Sequence, residues 1–283
     1  MLYYYANSGH KIGLERVRRG AALLKRLGAD GVEVQLLVND FRAGLVAKDL
    51  GVKEYVTIES IQDIDAIVEA GNSIIIDSPE DDKGRLVKYF SDFKNVWRFE
   101  HDSSDRSIHG ETLLRTGCKD ENCVDAVIVD DIYFEKNSKE ERTLFFLSDA
   151  DYDKTILSNE DFFKSLDMEL LLGNYFFVKY EDDLARLFST LHEPEEYMDL
   201  IKSSSCIVTA SAQTAIEAKA SGAKVIYIDL NNSLYPLELL SSYGIDIVNG
   251  FDVEKVVKYL EEEVRIPKNT IEYFNDNKIR SVL

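Results

Sequence analysis

A chain of 283 residues, 45% hydrophobic and 11% aromatic, carries enough apolar material for two cores and is not a disordered polymer. Its formal charge of −19 and pI near 4.6 argue against nucleic acid and anionic membrane as partners, so an anionic ligand has to be held by local backbone donors and a few cations. The first residues show no signal-peptide pattern, and no apolar run approaches the ~20 residues that span a bilayer. Three cysteines fit a reducing compartment better than a disulfide framework, so the expected location is cytoplasmic.

The chain opens with an apolar run, Leu2-Tyr3-Tyr4-Tyr5, then Ala6-Asn7-Ser8-Gly9-His10, and then an amphipathic helix expected over Gly13–Leu27. Strand, small-residue turn and helix in that order open nucleotide-binding α/β domains. Gly9 permits a sharp reversal, and the helix N-terminus offers unpaired N–H groups and a positive dipole end to phosphate or carboxylate. Histidine is the side chain that exchanges a proton near neutral pH, so His10 is read as catalytic, with Ser8 and Gly9 as ligand contacts. The plain alternative is an ordinary turn with a solvated histidine.

Strands are next expected at Val32–Val38, Glu54–Ile58, Ser73–Asp77 and Val96–Phe99, with helices at Phe41–Leu50, Ser60–Ala70 and Asp81–Phe93. After a polar excursion, Ala126–Val129 reads as a last strand. Phe134–Arg142 is charged and lacks apolar periodicity, so it reads as the linker between a domain over residues 1–137 and another over 138–283. The rhythm then restarts, with strands at Thr143–Leu147, Glu169–Leu172, Leu187–Leu191, Cys206–Ala210, Lys224–Asp229 and Asp246–Val248. Helices are clearest at Glu193–Ser203, Gln213–Ser221, Ser233–Ser242 and Val253–Glu263, and a closing helix at Thr270–Val282 has room to reach back to the first domain. Short β-branched runs alternating with helices specify parallel sheets, and the expected fold is α/β, two Rossmann-like parallel-sheet domains facing a cleft.

A second candidate site lies at Thr209–Glu217, again strand, small-residue turn and helix. Ala210, Ser211, Ala212, Gln213 and Thr214 would let backbone and hydroxyl donors approach a diphosphate, and Glu217, one turn into the helix, could accept from ribose hydroxyls. Asn232 falls in the Asn231-Asn232-Ser233 stretch that caps the next helix at the same sheet edge. The competing reading is an ordinary βα turn with Glu217 on the surface.

These residues carry a family resemblance. Ser8-Gly9-His10 followed by Arg19-Gly20-Ala21-Ala22-Leu23-Leu24, the turn Thr209–Glu217 through Gly222, Asn231-Asn232-Ser233, and Ile74-Ile75-Ile76-Asp77-Ser78 together resemble the two-domain GT-B superfamily of sugar-nucleotide enzymes. Within it the chain looks most like the UDP-sugar hydrolase of pseudaminic acid biosynthesis, with MurG-type transferases more distant. Three departures stand out: Gly13 where the family places arginine, no paired glycines at Ala210–Ala212, and Ser148-Asp149-Ala150-Asp151 where relatives carry glycines.

The resemblance implies a UDP-linked sugar in the interdomain cleft, its nucleotide held by the Ala210–Thr214 amides and Glu217, with Asn232 near the sugar phosphate. His10 would activate water or an acceptor hydroxyl, with no metal or other cofactor, for hydrolysis or transfer in surface-glycan or nonulosonic-acid biosynthesis. One alternative is a non-catalytic descendant that binds a nucleotide sugar or a protein. Another is a metal-dependent transferase, because Asp149-Ala150-Asp151 resembles the Asp-x-Asp metal site of GT-A enzymes. His101, His109, Cys118 and Cys123 form a weaker zinc candidate, with the Cys118–Cys123 loop as its frame.

Overall fold

The structure, a computed structural model, describes residues 1–102, 104–118 and 123–283. Residues Lys119–Asn122, in the loop of the zinc candidate, lie outside the described residues. The chain divides into two compact units, one of residues 1–9, 16–130 and 273–283, the other of residues 10–15 and 131–272.

The first unit contains β1 (Leu2–Ala6), α1 (Glu15–Ala29, all but its first residue), β2 (Val34–Val38), α2 (Phe41–Asp49), β3 (Tyr55–Thr57), α3 (Ile64–Ile67), β4 (Ser73–Asp77), α4 (Leu86–Asp92), β5 (Asn95–Phe99), β6 (Thr112–Arg115) and β7 (Val124–Asp125). These strands form a parallel sheet in the order β3-β2-β1-β4-β5-β6-β7. Every residue of β1 and β4 is buried, as expected where helices cover both faces and the strand reads as a continuous apolar run. One face packs Tyr3, Tyr5, Leu37, Ile74 and Ile76 with Ile64, Leu86 and Tyr89.

The second unit contains β8 (Glu140–Phe146), α5 (Thr155–Ser158), α6 (Glu160–Lys164), β9 (Glu169–Leu171), α7 (Val178–Leu184), β10 (Leu191–His192), α8 (Tyr197–Ser203), β11 (Ser204–Thr209), α9 (Ala212–Ala220), β12 (Lys224–Asp229), α10 (Leu237–Ser242), β13 (Asp246–Asn249) and α11 (Val253–Glu261). Its parallel sheet runs β10-β9-β8-β11-β12-β13. An aromatic cluster closes the core: Phe145 meets Phe163 edge-on at 4.8 Å and stacks near Phe188 at 6.3 Å. A last single turn, α12 (Asn277–Arg280), belongs to the first unit.

Several expectations are corrected. Ala126–Val129 is buried but not a strand: β7 ends at Asp125, whose carboxylate accepts from the Val127 amide, and the apolar run continues as irregular chain. The polar excursion instead contains β6. Glu140–Arg142, expected in a linker, begin β8, their charges held in pairs such as Arg142–Glu169 at 2.8 Å. The closing helix shrinks to α12. Its segment is fastened instead by polar contacts, Arg26 donating to the Phe274 carbonyl and Lys278 to that of Cys123 at 2.6 Å. Cys118 and Cys123 form a disulfide rather than remaining thiols, which withdraws both sulfurs from the zinc candidate, while Cys206 is a buried thiol. Among the described residues no helix is long and apolar enough to cross a membrane.

Candidate functional site

In a doubly wound sheet, ligands bind beyond the strand C-termini where the strand order reverses. In the first unit that point is between β1 and β4, and in the second between β8 and β11.

Beyond β1, the Asn7 amide donates to the Asp77 carbonyl, and Ser8 is buried with its N–H 2.7 Å from Asn39 Oδ1. Gly9 follows at φ +145°, a conformation that L side chains rarely adopt. Asp77, wholly buried, is gripped by Arg19 through two contacts, Nε at 2.6 Å and Nη2 at 2.5 Å, and by the Tyr4 hydroxyl at 2.6 Å. Arg19 is 2% exposed and its guanidinium lies 3.7 Å from the Phe99 ring centre. Two elements of the family resemblance, the helical arginine and the strand-ending aspartate, thus bind each other. Nearby, burial holds the His101 imidazole below its ordinary pKa, with Arg16 and Arg19 adding to the shift and Asp77 opposing it.

Beyond β8 and β11 lies a cavity of about 260 Å³. Its walls include Leu147 and Ser148 after β8, Ala210 after β11, Asn232 after β12, and Lys11 and Glu15 from the segment that precedes α1. The Ser148–Asp149 loop packs closely on Gly173, where a Cβ would come within 2.6 Å of the Ser148 and Asp149 carbonyl oxygens, so only glycine fits against that loop. Tyr152, 58% exposed, stands on the wall with the His10 ring 5.5 Å away and the Lys11 ammonium 4.3 Å from its ring centre.

The start of α9 borders this cavity through Ala210 and Glu15. Ser211 caps the helix, its hydroxyl accepting from the Thr214 amide at 3.2 Å, as an N-cap serine does. The Ser211 amide donates to Thr209 Oγ1 at 3.0 Å. Glu15 Oε1 accepts from the Ser211 hydroxyl at 2.9 Å and from the Gln213 amide at 3.0 Å. The Ala210 amide donates to the Phe146 carbonyl at 3.3 Å, so four of the turn's amides, assigned by the resemblance to a diphosphate, are engaged within the chain. Glu217 is 2% exposed, with Tyr197 donating to one oxygen at 2.7 Å and Gln213 Nε2 to the other at 2.8 Å. Tyr235 completes the network by donating to Gln213 Oε1 at 2.7 Å. Glu217 is thus a buried network member rather than a surface residue.

The second unit therefore gathers His10, Ala210, Ser211, Gln213, Thr214, Glu217 and Asn232 around one cavity and its adjoining helix end, with Ala212 buried as the first residue of α9. Ser8 and Gly9 belong to the first unit. Lys11, Glu15 and Tyr152 were not singled out from sequence. An acidic residue opening a helix and a tyrosine in an acidic loop are common, and nothing local marks their meeting.

The two aspartates of the metal alternative both accept hydrogen bonds within the chain. Asp151 serves α5, accepting from the Thr155 amide at 2.6 Å, the Ile156 amide at 3.1 Å and the Tyr180 hydroxyl, while Asp149 accepts from Asn174 at 2.7 Å. Burial and Asp151 push the Tyr180 hydroxyl well above its ordinary pKa, so it remains a donor. Among the described residues no group of three or more His, Cys, Asp or Glu side chains converges to hold a metal. Asp151→Ala is expected to cost about 1–3 kcal/mol by orphaning these donors. Urea unfolding measures this, and a loss under about 0.5 kcal/mol would rule out the capping role.

No protein-family model matches the chain, and no curated protein matches it in sequence. Solved structures do match. The UDP-GlcNAc 2-epimerase of Methanocaldococcus jannaschii, in complex with UDP-GlcNAc and UDP, superposes with a TM-score of 0.61 at 14% identity, covering 100% of this chain and 99% of the other. The S. aureus MnaA–UDP co-structure gives 0.60 at 14% identity over 92% and 87%. The E. coli heptosyltransferase WaaC with an ADP-2-deoxy-2-fluoro heptose gives 0.53 at 10% identity over 92% and 98%. The chain has the GT-B fold, with parallel sheets of seven and six strands.

Proposed function

We propose that this protein binds a nucleoside-diphosphate sugar, UDP-linked, and cleaves its glycosyl bond by hydrolysis or transfer in surface-glycan or nonulosonic-acid biosynthesis. The observation that carries the reading is the cavity at the β8/β11 switch point, bordered by the start of α9, Asn232 and the His10–Glu15 segment. Neighbours of the same fold in complex with UDP, UDP-GlcNAc or an ADP-heptose analogue support it. The Ser8-Gly9-His10 and Thr209–Glu217 motifs favour a hydrolase like that of pseudaminic acid biosynthesis.

In this scheme the nucleotide lies on the second unit and Asn232 contacts the sugar phosphate. His10 takes the proton of a water or acceptor hydroxyl as its oxygen attacks the anomeric carbon. The nucleoside diphosphate leaves toward the start of α9, where the helix dipole and, once the Glu15 carboxylate is displaced from them, the Ser211 and Gln213 donors receive its charge. Glu217 is the carboxylate assigned to the ribose hydroxyls, since a carboxylate can take about four donors.

Thermal-shift screening against UDP-, GDP- and CMP-sugars tests the premise, with stabilisation by a UDP-sugar expected and silence toward all three donors overturning it. Glu217→Ala is expected to weaken UDP-sugar binding by about 1–3 kcal/mol in calorimetry. Unchanged affinity would remove Glu217 from the ribose contact.

A second reading, a non-catalytic binder of a nucleotide sugar or a protein, is favoured by one observation: the Gln213 amide already holds Glu15. Tight donor binding without turnover would select it.

A further inference from the structure

The ionisable groups on the cavity wall are unbalanced. Lys11 is the single ammonium among the wall residues, which also include the carboxylates of Glu15, Asp151 and Asp153, and it lies over Tyr152. Asp151 is committed to α5, and Lys11 is drawn over the Tyr152 ring. Glu15 is different, because its Oε1 sits on the Ser211 hydroxyl and the Gln213 amide at the positive end of a nine-residue helix. This is the place a ligand phosphate would take.

Resting on the nucleotide reading above, we propose that Glu15 is a charge-selecting residue, which makes the site prefer a sugar nucleotide over the more highly charged free nucleoside diphosphate. The argument is electrostatic. An incoming diphosphate must either displace the Glu15 carboxylate from its two donors or lie beside it, and in both cases the repulsion grows with ligand charge. A UDP-sugar has both phosphates esterified and carries about two negative charges. Free UDP exposes a terminal phosphate whose second ionisation falls near pH 6, so it carries about three at neutral pH. The penalty therefore falls harder on UDP, the nucleotide released by glycosyl cleavage, and hastens its departure. A neutral or cationic residue here would retain product.

The test is calorimetric titration of the full-length protein with UDP, UDP-GlcNAc and uridine at fixed ionic strength, comparing wild type, Glu15→Gln and Glu15→Asp. Glutamine keeps an oxygen to accept from Ser211 and Gln213 while removing the charge. Glu15→Gln is expected to tighten UDP about tenfold and UDP-GlcNAc about two- to threefold, leaving uridine unchanged. Glu15→Asp keeps the charge and is expected to hold the UDP to UDP-GlcNAc affinity ratio within about threefold of wild type. Equal tightening of both nucleotides, no tightening, or weaker binding by Glu15→Gln overturns the charge-selecting role while nucleotide binding stands. Failure of every protein to bind any of the three ligands overturns the nucleotide reading itself, and the role of Glu15 with it.

Discussion

His10→Ala is expected to lower turnover of the sugar nucleotide by about 10²–10⁴-fold, the usual contribution of a general base, with a much smaller change in donor affinity. The ring contact between His10 and Tyr152 complicates a simple truncation, since removing one ring also loosens its neighbour. His10→Phe answers this by keeping a ring against Tyr152 that cannot accept a proton. A comparable loss in both variants assigns the effect to proton transfer, and full turnover by either removes His10 as the base. The assay follows UDP release with and without a hydroxyl acceptor. Release without acceptor identifies a hydrolase, and release only with it identifies a transferase.

Asp77→Ala is expected to cost about 3–5 kcal/mol of stability in the first unit, because it leaves the Arg19 guanidinium buried with its charge uncompensated. Arg19 has little room to reach water: it is packed against Phe99 and only 2% exposed. Replacing both partners with apolar residues, Arg19→Met with Asp77→Leu, is expected to cost far less than the sum of the single losses. Urea unfolding followed by tryptophan fluorescence reports on this unit, since the chain's one tryptophan, Trp97, lies on β5. A single-variant loss under about 1 kcal/mol would mean that the guanidinium finds solvent after all.

Sequence and structure agree most closely where burial is two-sided. The runs Ser73–Asp77 and Lys224–Asp229 read as strands and are strands with those same limits, because a strand covered on both faces must be apolar throughout. Legibility fails at sheet edges and in irregular chain. Thr112–Arg115 has two apolar residues and looks like loop, yet it pairs with β5, whereas Ala126–Val129 looks like a strand and continues past the end of β7 as irregular chain. The small-residue turn at Ala210–Thr214 was visible because close backbone approach demands small side chains. What occupies that turn was not, since Glu15 reaches Ser211 across a separation of 196 positions, and Arg19 reaches Asp77 across 58. Spacing rules reach about one helical turn or one hairpin, so contacts of this kind have no local signature.

The hydrogen-bonded row at the start of α9 has a shortage of protons. Glu15, Ser211, Thr214, Tyr197 and Glu217 lie in sequence with oxygen separations of 2.9, 2.8, 2.8 and 2.7 Å. Three hydroxyls bring three protons to four contacts, and with Ser211 donating to Glu15, Thr214 to Ser211 and Tyr197 to Glu217, the contact without a proton falls between Thr214 and Tyr197. Turning a hydroxyl moves that gap along the row without displacing a heavy atom. When a ligand draws Glu15 off Ser211, the gap can migrate to the emptied end and Thr214 can turn its proton toward Tyr197. A change of charge at the cavity wall is thereby carried along the row as far as Tyr197, as a reversal of donor and acceptor between Ser211 and Thr214 and a new proton between Thr214 and Tyr197.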